Sequence, residues 1–320
     1  MIEPIFLPTF RRAWEISWRH KGFWALGLLS AIFAGSFGWE NFISRIFTAA
    51  AAAKTVVWWP LISWNFNTSP TGQNLLGLVW LGGICLAIFA LVIFVSLTAK
   101  AAMLAGAAAC QKSEKAPALH EIWHHGAACF WKMLVIELAR KILLIGLLIA
   151  FGLLWTKLNF GGTWGDILGA ALLALAVFLT LVVASAAAYA AAYAVIENRP
   201  LWESIKNGWR LLEHHLLVSL EIGLALLVLE FAFVILVLGL LSFSFIPSLF
   251  VWLAAGFLGN PNLALAGLFF GFLLFLLIIA LAGGLYSSFQ TCVWACLFLK
   301  MRRGGIYSRF FHWFSHLFSR

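Results

Sequence analysis

The stretch HEIWHH, His120 to His125, contains the pattern H-E-x-x-H. On a helix, residues four apart share a face. Two histidines so placed can hold a zinc ion while the glutamate between them acts as general base on a bound water. His120 and His124 would be the ligands and Glu121 the base. No third ligand follows at a recognisable spacing. Glu213, His214 and His215 qualify only if the fold brings them close. The surroundings point elsewhere. Leu119, Trp123 and Ala127 form an apolar stripe at helical spacing, with histidines on the other faces. A helix lying in a membrane interface carries this mixture of tryptophan and basic groups. We read the motif as a chance product of that composition and expect no catalytic residue, no cofactor and no metal.

Charges in apolar runs are the other candidates for chemistry. Glu137, Arg140 and Lys141 fall in one such run, and Glu221 and Glu230 in another. Such groups are costly in hydrocarbon and are usually paired or functional. Glu137 reaches Arg140 at i+3 and Lys141 at i+4. Glu221 is expected to face Arg140 or Lys141 across the bundle. Glu230 stands nine residues beyond Glu221, on the opposite helix face, with no basic partner evident in the sequence. It reads either as a proton or cation site of a transporter or as a neutral acid bonded to a neighbouring helix.

The chain that positions these groups has 320 residues, of which 63% are hydrophobic and 10% charged, with a mean hydropathy of +0.99. A soluble domain carries about 25% charged residues. We expect an all-α polytopic membrane protein forming one integral domain over 1–320. Apolar runs long enough to span a bilayer as helices occur at Phe23–Trp39, Leu75–Thr98, Lys132–Trp155, Ile167–Val195, Leu216–Ser242 and Leu263–Leu285. The second, fourth and sixth run on to about Cys110, Ile196 and Leu299. Pro247 and Pro261 are read as lying in the connection between the last two. The first run reads as a retained span, not a cleaved signal. Five cysteines without a CxxC pair read as packing residues.

Lysine and arginine are distributed unevenly. The N-terminal segment, the second and fourth connections and the tail together hold 16, the opposite side 3. By the positive-inside rule both termini are expected in the cytoplasm, which requires an even number of spans. Nothing in the chain suggests nucleic acid as a partner. Membrane lipids with anionic headgroups are the expected partner, met by Arg11, Arg12, Arg19, Lys21, Arg210, Arg302, Arg303 and Arg309. Small-residue helix faces also suit association with a second copy or a membrane partner. The tail, 301–320, reads as one more amphipathic interfacial helix.

Three segments opening on a proline are alike: PTFRRAWEISWRHKGFWALGLL from Pro8, PALHEIWHHGAACFWKMLVIEL from Pro117 and PLWESIKNGWRLLEHHLLVSLEIGL from Pro200. Each reads as a short amphipathic helix, with proline at its first position, leading into an odd-numbered span. The even spans end in small-residue tracts, AKAAMLAGAAAC, ASAAAYAAAYAV and AGGLYSSFQTCVWAC, which suit close packing in lipid. The expected unit is therefore an interfacial helix and a hairpin of two spans, repeated over approximately 1–116, 117–199 and 200–320. The even helices stand at the centre. AWEISWRHKGFWALGLL from Ala13 and ENRPLWESIKNGWRLLEHHLLVSL from Glu197 resemble uncharacterised bacterial multi-pass membrane families. These include the membrane domain attached to some glycerophosphoryl diester phosphodiesterases. That resemblance implies a bacterial inner-membrane domain without chemistry of its own. The expected role is non-enzymatic, lipid-interacting or partner-anchoring, with a small transporter as the alternative and a zinc-dependent membrane hydrolase a weaker one.

Overall fold

A computed structural model describes residues 6–31, 72–112, 118–157, 163–259 and 261–302, and within them every regular element is helical. In chain order these are α1 (Phe6–Arg19), α2 (Gly22–Ala31), α3 (Gly72–Lys112), α4 (Leu119–Ala128), α5 (Phe130–Lys157), α6 (Thr163–Ile196), α7 (Leu201–His214), α8 (Leu216–Leu258) and α9 (Pro261–Arg302). Four stretches are long and apolar enough to cross a membrane: Gly82–Gln111, Ile167–Ile196, Leu216–Leu258 and Asn262–Arg302. The chain is thus a helical, membrane-type, multi-pass protein. The second half of the first expected span, the loop that follows it, and the tail with Arg303 and Arg309 lie outside the described residues.

The short helices α1, α4 and α7 are amphipathic, and each feeds an apolar helix through a break of one or two residues. These breaks fall at His20–Lys21, at Cys129 and at His215. Pro8 sits within the first turn of α1 and not at its first position; Pro200 is the N-cap of α7, in extended conformation. Both sites leave no helical hydrogen bond to lose.

The last hairpin corrects the sequence reading. Pro247 lies inside α8, which continues well past Ser242 to Leu258. The run from Phe243 stays apolar, so helix remains the only way to satisfy its backbone in lipid. Proline removes one hydrogen bond there, and Ser248 Oγ, next to it, donates 2.7 Å to the Gly267 carbonyl on α9. The turn itself is made by Gly259, at φ 61°, a left-handed cap that glycine adopts without strain. Pro261 then opens α9. At 43 residues, α8 is about 65 Å long, twice the thickness of a hydrocarbon core.

Packing is concentrated at one end. α1 lies on α9, α4 on α3 and α7 on α6. α2 fills the space between α9 and α3, α5 that between α3 and α6, and α8 that between α6 and α9, while α3, α6 and α9 touch one another. The buried core is built mostly from the C-terminal parts of these three helices, with Ala101, Met103, Tyr189, Val195, Cys292 and Leu297 all within it. Further along α8 and α9 the large side chains face outward, Phe231, Phe243, Phe250, Leu268 and Phe269 among them. Lipid replaces protein as their apolar surroundings.

Small residues set the contact distances. A Cβ on Gly126 would lie 2.6 Å from the Thr98 carbonyl, and one on Gly208 2.7 Å from the Ala190 nitrogen. Gly27 meets Gly284 backbone to backbone, where Ser288 Oγ donates to the Phe23 carbonyl at 2.5 Å. Gly146 and Gly152, by contrast, face open space. Gly208→Val is expected to cost about 2 kcal/mol or more through forced separation of α7 from α6. Gly152→Ala should leave the thermal unfolding midpoint in detergent unchanged or slightly raised. Equal effects of the two changes would contradict this packing.

Candidate functional site

Glu137 is the most deeply buried charge among the described residues, 3% exposed on α5. It lies about two turns beyond the α4–α5 break. Its Oε1 takes the ammonium of Lys100 from α3, and its Oε2 the Arg140 Nε at 2.8 Å. The i+3 pair was legible in the sequence. Lys100 was not: it stands on α3, in the stretch where the second span runs on toward Cys110, and no spacing in the sequence points it at Glu137. Its neighbours AAMLAGAAAC are small, and this lets α5 approach closely enough for Glu137 to reach across.

The three charges line a cavity of about 90 Å³ between α3, α5, α6 and α9. Ala184, Ala187, Ala188 and Ala191 of α6 form one wall, and Gln290, Thr291 and Trp294 of α9 another. The Thr291 hydroxyl is spent on the Ser287 carbonyl at 2.8 Å. Gln290 has no hydrogen-bond partner among the described residues. No pattern in the sequence marked Gln290.

Glu137 thus holds Arg140 of its own helix and Lys100 of α3 together. Glu221 lies on α8, which packs on α6 and α9. Glu230, half-buried on α8, is hydrogen-bonded by Tyr286 of α9, whose hydroxyl also lies 3.4 Å from the Leu226 carbonyl. Tyr286 stacks on Phe233 at 5.0 Å.

His120, Glu121 and His124 are all exposed on α4. Among the described residues no group of three or more His, Cys, Asp or Glu is gathered that would hold a metal ion. His125, one residue on, has a structural task instead: its Nε2 is 3.0 Å from the Val195 carbonyl at the end of α6. Lys132 reaches the same helix end, 2.7 Å from Asn198 Oδ1. His214 Nδ1 meets the Arg210 carbonyl of its own helix at 2.8 Å.

The exposed cations form a collar at this end. Arg11 and Arg12 share Glu15 at 3.2 and 3.4 Å on the outside of α1. Arg19 and Lys21 are exposed at the α1–α2 break, and Arg210 on α7. Arg302 is held more firmly. Its guanidinium pairs with Glu197, which also takes Arg199 at 3.0 Å, and lies 5.8 Å over the Tyr193 ring. It thereby fastens the end of α9 to the α6–α7 junction.

Two outcomes are expected. Glu137→Gln leaves two cations facing each other with no carboxylate and should cost about 3–5 kcal/mol. In a double-mutant cycle its effect on thermal unfolding should be strongly non-additive with Lys100→Met. Additive effects would mean that the pair is not formed. At the α7–α8 break, burial and the neighbouring His214 hold the His215 imidazole below its ordinary value. The neutral form is then favoured by folding. Its contribution is complete above the unfolded pKa of about 6.5 and is lost as pH falls through the lower folded value. His215→Gln should therefore blunt the loss of thermal stability on acidification; an unchanged pH profile would contradict it.

Comparison of the chain with protein-family models, with curated proteins and with solved structures finds no match.

Proposed function

We propose that the chain is a non-enzymatic, six-span protein of a bacterial inner membrane that holds anionic lipids in a collar at its cytoplasmic end. On this reading it consists of three hairpin units, 1–116, 117–199 and 200–320, akin to the membrane domain of glycerophosphoryl diester phosphodiesterases. One observation carries it: the cyclic packing of the short helices. Each amphipathic helix leans back on the long helix that completes the preceding unit, α4 on α3, α7 on α6 and α1 on α9. The helix that follows each of them, α5, α8 and α2, then fills the gap to the next. Such an arrangement follows naturally from three similar units closing into a ring.

The collar has the chemistry of a headgroup layer. Each short helix buries its small or apolar face, with Ala13 and Ile16, Ile122 and Gly126, or Ser204, Gly208 and Leu212 turned inward. Outward stand Trp14, Trp18, Trp202 and Trp209, at 46–78% exposure, beside Arg12, Arg19 and Arg210. Indole rings favour the boundary between headgroup and hydrocarbon, and each cation near an anionic surface contributes about 1 kcal/mol. The positive bias of this side supports its placement in the cytoplasm.

The Tyr286–Glu230 contact favours a second reading, a small transporter that moves a proton or cation past Glu230. Proton-coupled flux in proteoliposomes, abolished by Glu230→Gln, would decide for it.

The collar reading is tested by native mass spectrometry of the full chain released from mixed phosphatidylglycerol and phosphatidylcholine. Anionic lipid should be retained in preference. Replacing Arg12, Arg19 and Arg210 together by glutamine should weaken that retention by about fivefold per charge. No preference, or a preference untouched by the triple change, would overturn it.

A further inference from the structure

The cavity between α3, α5, α6 and α9 carries more positive charge and more donors than its own carboxylate uses. Glu137 takes one bond from Lys100 and one from Arg140. An ammonium has three donors and a guanidinium five. The remaining ones have no acceptor among the described residues, and neither does the Gln290 amide across the cavity. Two cations, Lys100 and Arg140, face one carboxylate. The cluster therefore turns a net positive charge toward the cavity.

The wall opposite keeps the space open. Four alanines of α6 face the charges, and a leucine at any of these positions would occupy the cavity. They offer no polar side-chain group that competes for the donors. Lys100 and Arg140 remain 25% and 20% accessible, so the cavity is not sealed. Its volume of about 90 Å³ exceeds the share of a single water severalfold and is far too small for an acyl chain.

We propose that this cavity binds one phosphate-like oxyanion, held by Lys100, Arg140 and Gln290 while Glu137 fixes the two cations in place. Arginine suits a phosphate because its planar fork presents parallel donors to two oxygens, and lysine adds a point charge. A cation is disfavoured by the surplus positive charge. The phosphate reaches the cavity either as a free ion or on a lipid headgroup. The site is separate from the collar, so its failure would leave the lipid-retention result standing.

The test is the thermal unfolding midpoint of the full chain in a neutral detergent at constant ionic strength, titrated with inorganic phosphate, with short-chain phosphatidylglycerol and with short-chain phosphatidylcholine. Three variants accompany it. Ala188→Leu fills the cavity and keeps every charge, Arg140→Gln removes a donor, and Arg210→Gln alters only the collar. A saturable rise in midpoint with phosphate and with phosphatidylglycerol, retained in Arg210→Gln and lost in Ala188→Leu, supports a site open to free anions. A rise with phosphatidylglycerol alone, lost in the same variant, supports a headgroup site. Should Arg140→Gln fail to fold, Ala188→Leu still decides. No rise in the unaltered chain, an equal rise with phosphatidylcholine, or a rise that survives Ala188→Leu overturns the proposal.

Discussion

Close approach of helices in the absence of a hydrophobic drive is the constraint on which this structure depends. In lipid, an apolar side chain gains little by leaving its surroundings for another helix, so contact must come from fit. The fit is supplied where backbones can nearly touch: Gly126 on Ala102, Gly208 on Ala190, Gly27 on Gly284. Serines at these seams add bonds that a glycine seam alone lacks. Ser30 and Ser287 lie 2.6 Å apart between α2 and α9, Ser96 donates to the Ser30 carbonyl at 3.0 Å, and Tyr189 meets Ser219 at 2.7 Å between α6 and α8. All these contacts fall in the half of the bundle where the short helices lie. The far half of α8 and α9 has Gly267 and Gly271 against Val251 and Ser248 and little else of the kind. Tight fit is spent where three units meet, and the remainder of each long helix is left to lipid.

That distribution explains why the polar groups sit where they do. A buried carboxylate needs partners within reach, and reach is short only where helices are close. Lys100 meets Glu137 because the residues around it on α3 are alanines, which bring α5 near. Farther along, where spacing is looser, Glu230 is answered by a tyrosine long enough to span the gap from α9. At the surface, the same packing turns basic and indole side chains of α1 and α7 outward, since their inner faces are taken up by small residues.

Much of the architecture was legible because its signals are periodic or compositional. The small-residue tracts foretold that the second, fourth and sixth helices run on past their spans; α6 ends at Ile196, and the described parts of α3 and α9 are helical to Lys112 and Arg302. The amphipathic stripes foretold α1, α4 and α7. Elements without a local signature were missed. Pro247 looks like an interruption, yet the helix continues through it, because its flanks are largely apolar and in lipid helix satisfies the backbone. Lys100 falls on the run-on of the second span, where a charge near the end of an apolar run is usually exposed. Only the pairing with Glu137, a tertiary contact 37 residues distant, reverses that reading. His125 was passed over for His124, as the motif directs attention to spacing and says nothing of the carbonyl at the end of α6.

The energetics of the Lys100–Glu137–Arg140 group distinguish a fastening from a site. At the effective dielectric suited to protein interiors, a carboxylate–cation contact at 4 Å is worth about 4 kcal/mol. Removing each ion from water costs several kcal/mol, and here three ions share two contacts. Attraction within the group therefore does little more than offset desolvation, and a set of apolar side chains would join α3 to α5 at least as well. What apolar side chains would not provide is directed donors facing a space that α6 leaves unfilled. A group whose return as a fastener is small, set beside that unfilled space, is better accounted for by what it can hold than by what it holds together.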